Sequence, residues 1–296
     1  AAHVGACSLL LAGAAERRQS HGERYAIALA GGALMLAIAF GSLLGAAAVS
    51  LDVRAPFFGA ATILAVVAAF ASRTELEIGG RAVSAPTSPS GDHTPALRLA
   101  VGAAFVGRFT VGCVVVSFAL FAHHVHGRSD GQIGALFAAL TFPFAFLTFA
   151  AGHLAERFSR AALLAVGAVV LSISLVLLRS APTAALPVVM VGAGLGCASL
   201  FAPALCYAAA GTTAAGRRRG MADVNAAGCL GMLLGPAASG VLSAILRDSA
   251  DPGRGPRAAF ALAASAVACW LVTSLPSLAR AARAELQRAA VERGAR

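Results

Sequence analysis

The sequence predicts an all-α, polytopic membrane helical bundle. Hydrophobic residues make up 58% of the chain and charged residues only 12%, whereas a soluble domain carries about 25% charged residues. Mean hydropathy is +0.80. Eight apolar stretches are each long enough to cross a bilayer, which takes about 20 residues in a helix. They are 25–49, 55–72, 99–122, 133–152, 161–178, 185–209, 221–246 and 258–275.

These stretches are expected to be helices rather than barrel strands. In hydrocarbon every backbone polar group needs a partner, and a helix provides it within the span. The apolar runs are continuous and lack the alternation that a lipid-facing barrel strand shows. Within the spans, only Arg108 and Asp223 carry charge. Because a charge inside the membrane is costly, these two residues are the first candidates for function.

The distribution of arginine predicts the orientation of the chain. One set of alternate loops and the C-terminal tail hold 16 arginines, and the opposite loops hold 6. The arginine-rich set is 14–24, 73–98, 153–160, 211–220 and 276–296. Positively charged loops stay in the cytoplasm, so we expect a multi-pass protein of the cell inner (plasma) membrane with a cytoplasmic C-terminus. The arginines form no single basic face, so the expected partners are a lipid bilayer and a small-molecule substrate, and not nucleic acid.

The residue pattern indicates no metal site, no cofactor and no catalytic centre. The six cysteines lie in apolar runs without metal-ligand spacing and are interpreted as small hydrophobic residues. His123, His124 and His126 end one span. We interpret them as a solvated interfacial cluster, with a metal site as the alternative, since no acidic or cysteine partner accompanies them. No nucleophile elbow or phosphate loop is present, so an enzyme is not expected.

One long polar segment divides the chain. Residues 73–98, rich in Ser, Pro and Gly, are predicted to form a cytoplasmic linker. Residues 1–72 would end an N-terminal half-bundle, residues 99–275 would form a C-terminal half-bundle of six helices, and 276–296 a basic cytoplasmic tail. Residues 1–13 resemble the last half of another membrane helix, so we expect an N-terminally truncated fragment.

Short matches relate the two sides of the linker. Gly41-Ser-Leu-Leu-Gly45 matches Gly231-Met-Leu-Leu-Gly235 at an offset of 190 residues. Two other short matches keep the same order along the chain, 5–9 with 196–200 upstream and 54–57 with 257–260 downstream. Three matches on equivalent helices indicate a duplication, and parallel repeats of this kind build transporters with a central site between two halves.

Two motifs resemble those of the major facilitator superfamily. The loop from Gly152 to Arg160 reads G-H-L-A-E-R-F-S-R and is similar to the family's G-x-L-A-D-R-x-G-R. Glu156 replaces the usual aspartate, and Ser159 replaces the second glycine. The run from Gly231 to Gly240, with Gly235 and Pro236, is similar to the family's G-x-x-x-G-P-x-x-G-G. Its first copy keeps Gly41 and Gly45 but has Ala46 where proline is expected.

The resemblance implies a fold and an activity. The fold would comprise two pseudo-symmetric six-helix halves, the first incomplete, with this chain running from late in helix 4 to helix 12. The activity would be secondary active transport of a small molecule by alternating access, by a monomer without a cofactor. The glycine motif on the fifth helix is associated with antiporters in the family, which favours proton-coupled efflux. Uptake of a small organic anion is the alternative, and a transport-incompetent scaffold or sensor with the same fold is an alternative of another class.

The motif residues are expected to act in conformational change. Gly152 allows close approach of two helices, and Glu156 can lie against the positive N-terminal end of a neighbouring helix. Arg157 and Arg160 can extend this contact into a charge network, which would form a cytoplasmic latch. In the second motif, Gly231 and Gly235 permit tight packing and Pro236 can kink the helix.

Arg108 is the sharpest candidate for substrate contact, with Phe109 beside it. It is the tenth residue of its span, which places it roughly 14 Å deep at 1.5 Å per residue. A charge at that depth faces a cavity or a partner, so Arg108 either binds an anionic group of the substrate or is a structural arginine. Gly107 and Gly112 flank it and are expected to leave room.

Four further residues are candidates for binding or coupling. Asp223 and Asn225 follow three consecutive arginines near the start of a span. Asp223 could titrate as a proton-coupling group, although an acid in a first helical turn is more often a cap. Phe142 and Phe144 flank Pro143 and either line a pocket or face lipid.

The orientation can be tested by cysteine labelling. Ser88→Cys and Ser129→Cys, each in a cysteine-free background, should respond oppositely to an impermeant thiol reagent, because the arginine distribution places them on opposite sides. Position 129 should label from outside intact cells and position 88 only after permeabilisation. The reverse pattern would overturn the orientation.

Overall fold

The computed structural model is α-helical throughout the part of the chain that it describes. It describes residues 23–49, 51–52, 54–73, 95–210, 214–246, 248 and 250–294. The helices are α1 (Glu23–Val49), α2 (Ala55–Arg73), α3 (Pro95–His124), α4 (Asp130–Arg157), α5 (Arg160–Leu178), α6 (Leu186–Ala209), α7 (Ala214–Ile245) and α8 (Arg254–Gly294). The predicted all-α membrane bundle is confirmed.

Among the described residues, six helices, α3 to α8, are long and apolar enough to cross a membrane. In α1 and α2 the described apolar segments are shorter, Leu36–Val49 and Ala55–Val66. Residues 1–22 and 74–94 lie outside the described part, so the half-helix and the linker stay predictions. The segment expected as a tail continues α8 as a helix to Gly294, because its alanine, arginine, glutamate and leucine residues favour helix.

The described helices pack into one group around a core made mostly of alanine and leucine, with a few phenylalanines. α3 lies along α7 in the most extensive contact, α6 packs on α4 and α5, and α8 covers α3 and α5. α1 joins this group through α4. Near the C-terminal end of α3, Phe118 and Phe121 are fully buried, as is Phe260 in α8, and the rings of Phe121 and Phe260 meet edge-to-face at 5.5 Å.

Glycine brings the backbones of α3 and α7 into direct contact. A methyl group at Gly231 would overlap the carbonyl of Phe105, and one at Gly235 would overlap the carbonyl of Phe109. Only glycine at these two positions lets the helices approach this closely. The glycine motif of α7 thus packs against the backbone of α3. The predicted part of this motif in conformational change stays a prediction.

The same contact continues one turn further along α3. A methyl group at Gly112 would lie 2.6 Å from Cδ of Pro236, and the Cys113 thiol donates to the carbonyl of Gly235 at 3.3 Å. We call Gly112, Gly231 and Gly235 the glycine seam. Since helices in lipid associate by close van der Waals packing, the seam sets the α3–α7 distance.

The first copy of the motif has different surroundings. Gly41 and Gly45 have no described atom within 4 Å of an added methyl group. α1 instead meets α4 through Ser42 and Ala46, which lie against Gly134. Gly41 is one residue from Ser42, and Gly45 one from Ala46, so each glycine is rotated by about 100° from that contact face.

Replacing the seam glycines should destabilise the protein. Gly231→Ala and Gly235→Ala each force a methyl group into the α3 backbone, and overpacking of this kind costs about 1–3 kcal/mol. Both variants should unfold at a lower temperature in detergent. Gly240→Ala is the matched control on the same helix, because nothing lies within 4 Å of its added methyl group. Equal unfolding temperatures for all three variants would contradict the conclusion that the glycine seam sets the α3–α7 distance.

Candidate functional site

Arg108 lies near the middle of the 30-residue α3 and points toward α6 and α7. Its Cζ atom lies over the Phe201 ring of α6, 5.9 Å from the ring centroid. On the other side it passes along Gly228 of α7, where a methyl group would lie 2.8 Å from the arginine Cδ and 2.9 Å from Nε. The guanidinium is thus confined between an aromatic ring and a bare stretch of helix backbone.

The two glycines that flank Arg108 face different neighbours. Gly107 faces Leu200 of α6, whose Cδ1 lies 3.9 Å from an added methyl group, and Gly112 faces Pro236. A methyl group at Gly112 would lie 2.6 Å from Pro236 Cδ, so packing fills that position, whereas one at Gly107 would make an ordinary contact. The expectation that the two glycines leave room is therefore wrong for Gly112 and stays a prediction for Gly107. Across the interface, Gly228 accommodates the Arg108 side chain itself.

Phe144 joins Arg108 through Phe201. The rings of Phe144 and Phe201 meet edge-to-face with centroids 5.7 Å apart, and Phe144 is buried. Side chains or backbone from α3, α4, α6 and α7 therefore converge on one place, and we call Arg108, Phe144, Phe201 and Gly228 the central cluster. Sequence reasoning named Arg108 and Phe144 but missed Phe201 and Gly228, which the sequence places about 90 and 120 residues away from Arg108.

Phe109 and Phe142 lie outside the central cluster. Phe109 stacks on Phe105 of its own helix at 6.1 Å. Phe142 packs edge-to-face on Phe40 of α1 at 5.5 Å. Two residues on a helix diverge by about 200°, which explains why Phe142 and Phe144 meet different helices.

Asp223 and Asn225 precede Gly228 on α7 by five and three residues, which corresponds to roughly 7.5 and 4.5 Å along the axis. The Oδ2 atom of Asp223 is buried and has no hydrogen-bond partner among the described residues. The coupling role of Asp223 stays a prediction.

A model of the Major Facilitator Superfamily matches residues 100–295, well over half of the chain. This chain belongs to the Major Facilitator Superfamily. The match spans α3 to α8 and confirms the family that the two motifs indicated. Superfamily members are secondary transporters rather than enzymes, and the six apolar helices agree with a multi-pass membrane protein. The chain has no match among curated proteins.

The superfamily loop motif leads into a hydrogen-bonded cluster around Glu285 of α8. One carboxylate oxygen accepts from the Ser159 hydroxyl at 2.8 Å and from the backbone N–H of Arg160 at 2.9 Å. The other accepts from the Tyr207 hydroxyl at 2.9 Å. Ser159 also caps α5 by accepting from the N–H of Ala162 at 3.4 Å. A carboxylate at a helix N-terminus is favoured by the exposed N–H groups and the helix dipole.

The Glu285 cluster gives a role to the serine that departs from the family motif. Ser159 both caps α5 and donates to Glu285, which a glycine could not do. Arg160 holds its Cζ over the Tyr207 ring at 5.8 Å. Sequence reasoning missed Glu285 and Tyr207, because a lone acid in an arginine-rich helix and a tyrosine in an apolar span carry no motif.

For the remaining residues of the predicted latch, the structure describes the helix but not the side-chain contacts. Gly152, Glu156 and Arg157 occupy the last two turns of α4. Their surroundings lie outside the described part of the chain. The contact of Glu156 with a neighbouring helix end therefore stays a prediction.

A second polar cluster closes the opposite end of the bundle. Arg257 donates to both carboxylate oxygens of Asp251 at 2.9 Å and to the carbonyl of Arg179 at 3.2 Å. His126 contacts the Thr183 hydroxyl at 2.8 Å. Burial, and then the positive charges of Arg128 and Arg257, lowers the pKa of His126 from its ordinary value of 6.5, so the ring is neutral near pH 7. Among the described residues no group of three or more His, Cys, Asp or Glu side chains is placed to bind a metal.

Removing the Glu285 carboxylate should loosen the ends of α5 and α6. Glu285→Ala leaves three donors, on Ser159, Arg160 and Tyr207, without their acceptor, and a buried unpaired group costs about 1–3 kcal/mol. The unfolding temperature in detergent should fall. Gln287→Ala, at an exposed position two residues further along α8, is the control and should unfold like the unchanged protein. Similar unfolding temperatures for both variants would show that the cluster contributes nothing to stability.

Proposed function

We propose that this chain forms part of a secondary active transporter that exports a small organic molecule with an anionic group in exchange for protons. Arg108 would be the residue that contacts the anionic group. The observation that carries the proposal is the position of this arginine, at mid-span and at the convergence of α3, α4, α6 and α7.

The surroundings of Arg108 support binding of an anion. A cation inside a membrane is stabilised only in part by an aromatic face such as that of Phe201. A carboxylate can pair with the guanidinium through two parallel hydrogen bonds, which are stronger than hydrogen bonds between neutral groups.

The α1–α4 contact supports alternating access. By the family resemblance, α1 belongs to the first half of the transporter and α4 to the second. Ser42 and Ala46 of α1 meet Gly134 of α4, so small residues form this part of the contact. Small side chains let backbones approach closely without interlocking, which suits two halves that rock against each other.

The direction of transport rests on the motif at Gly41 and Gly45, which resembles that of antiporters. Uptake of an organic anion, with Arg108 as the same counter-charge, is the alternative. In proteoliposomes, exchange for protons drives accumulation of substrate when the lumen is acidic, and symport with protons drives it when the lumen is alkaline. Vesicles that contain the Arg108→Ala variant measure the passive leak of substrate under each pH gradient.

The central test measures thermal stability in detergent with and without organic acids. If Arg108 binds substrate, Arg108→Ala should leave the stability of the ligand-free, full-length protein nearly unchanged. It should abolish the stabilisation by benzoate or cyclohexanecarboxylate, which scales as RT ln(1 + [L]/Kd). Arg108→Lys should restore part of it, because lysine supplies charge but not the planar fork.

Arg98→Ala is the matched control, since Arg98 is exposed at the start of the same helix. It should respond to the acids like the unchanged protein. A large loss of stability in Arg108→Ala with the ligand response intact would identify Arg108 as a structural arginine and would refute the proposed site.

A further inference from the structure

We propose that three loops at one end of the described bundle form an acid-sensitive clasp. The loop between α3 and α4 is held in place while His126 is neutral and is released when His126 takes up a proton. The clasp lies at the end opposite Glu285, and its action is independent of the molecule transported. In the orientation that the arginine distribution predicts, this end would face the outside of the cell, and the clasp would respond to external pH.

Direct contacts join the three loops. His126, in the α3–α4 loop, forms a hydrogen bond with Thr183 of the α5–α6 loop, with Nδ1 and Oγ1 2.8 Å apart. Arg257, in the first turn of α8, donates to both carboxylate oxygens of Asp251 at 2.9 Å and to the carbonyl of Arg179 at 3.2 Å. Asp251 precedes α8 and Arg179 follows α5, so Arg257 ties the α7–α8 loop to the α5–α6 loop. We call His126, Thr183, Asp251 and Arg257 the loop clasp.

The way in which α3 ends fixes the position of the histidine. Gly127 has a φ of 61°, a left-handed conformation that glycine adopts at no steric cost. The backbone N–H of Arg128 then donates to the carbonyl of Ala122 at 3.0 Å, so the chain doubles back on α3. The His126 ring consequently lies against the end of α3, where it meets the Phe121 ring edge-to-face with centroids 4.9 Å apart.

The surroundings of the His126 ring favour its neutral form. The Phe121 ring that it contacts also lies beside a cation, since Cζ of Arg257 is 5.6 Å from the Phe121 centroid. Nε2 of His126 is buried and has no hydrogen-bond partner among the described residues. A neutral imidazole can leave one nitrogen without a proton, whereas the imidazolium carries an N–H on both. Protonation would therefore add a charge and leave a buried N–H without an acceptor, which is unfavourable.

Neighbouring charges act in the same direction as burial. Burial, and then the charges of Arg128 and Arg257, lowers the pKa of His126 from its ordinary value of 6.5. Asp248 and Asp251 are ion-paired with arginines of α8, so each already has a cationic partner. The other described charged or titratable groups on the adjoining loops and helix ends are His123, His124, Asp130, Arg179 and Arg254.

Acid should therefore open the loop clasp. Because the pKa of His126 is lower in the folded protein than in the unfolded chain, the unfolded chain takes up its proton first as the pH falls. The stability contributed by the neutral ring is complete above pH 6.5 and is lost as the pH falls through the folded-state pKa. A charged ring would leave Thr183, and the α3–α4 loop would lose its contact with the α5–α6 loop.

The first test measures the unfolding temperature of the full-length protein in detergent across the range of histidine titration. His126→Gln keeps a polar side chain but does not titrate. Relative to this variant, the unchanged protein should lose about 1–3 °C per pH unit below the ordinary histidine pKa. His124→Gln is the matched control, since His124 is exposed at the end of α3. Its pH dependence should equal that of the unchanged protein.

The second test follows the α3–α4 loop directly. A spin label on Ser129→Cys, in a cysteine-free background, reports the mobility of the loop at any pH. The label should become more mobile between about pH 7.5 and pH 5.5, the range in which histidine changes charge. With His126→Gln it should remain immobile at both pH values. With Thr183→Val, which removes the hydroxyl partner and keeps the side-chain shape, it should be mobile already at the higher pH.

Three outcomes would overturn the proposal. If His126→Gln lost stability in acid as steeply as the unchanged protein, the proton would act elsewhere. Equal mobility of the label at both pH values in the unchanged protein would show that the loop is not released. An immobile label at the higher pH in Thr183→Val would show that the hydrogen bond to His126 does not hold the loop.

Discussion

Hydrocarbon offers no hydrogen-bond partner to a backbone N–H or carbonyl, and the described structure depends on that constraint. Each span must be a helix, and helices in lipid gain no hydrophobic free energy by associating with one another. Association then depends on how closely the backbones approach. Gly231 and Gly235 bring α7 against the backbone of α3 at Phe105 and Phe109, and this contact is the most extensive between any two helices described here.

The same face of α7 also meets the candidate substrate site. Gly228, Gly231 and Gly235 lie within about 60° of one another around the helix axis. Two of them set the distance to α3, and the third borders the Arg108 side chain. A shift of α7 along α3 would therefore change both the packing of the two helices and the space beside the guanidinium. The packing of α3 on α7 and the surroundings of Arg108 thus depend on the same face of α7.

Polar groups away from the centre of the membrane are arranged differently. At one end, Glu285 accepts three hydrogen bonds and ties α8 to the start of α5 and the end of α6. At the other end, Arg257 satisfies both oxygens of Asp251 and a backbone carbonyl. Both carboxylates have partners that stabilise them within the protein. Arg108 in mid-span lies instead between the Phe201 ring and the α7 backbone at Gly228.

The sequence by itself determined the helices, the family and the position of Arg108 at mid-span. Apolar length, the motif residues and a charge inside an apolar run are local properties, and each can be read without knowing what a helix touches. Only the tertiary structure decided that Phe201 and Gly228 border Arg108, that Phe142 and Phe144 contact different helices, and that Glu285 joins Ser159 and Tyr207. Spans that are apolar on all sides lack the amphipathic pattern that reveals which face is buried. The rotation and depth of each helix, and hence its neighbours, are therefore fixed only when the bundle packs.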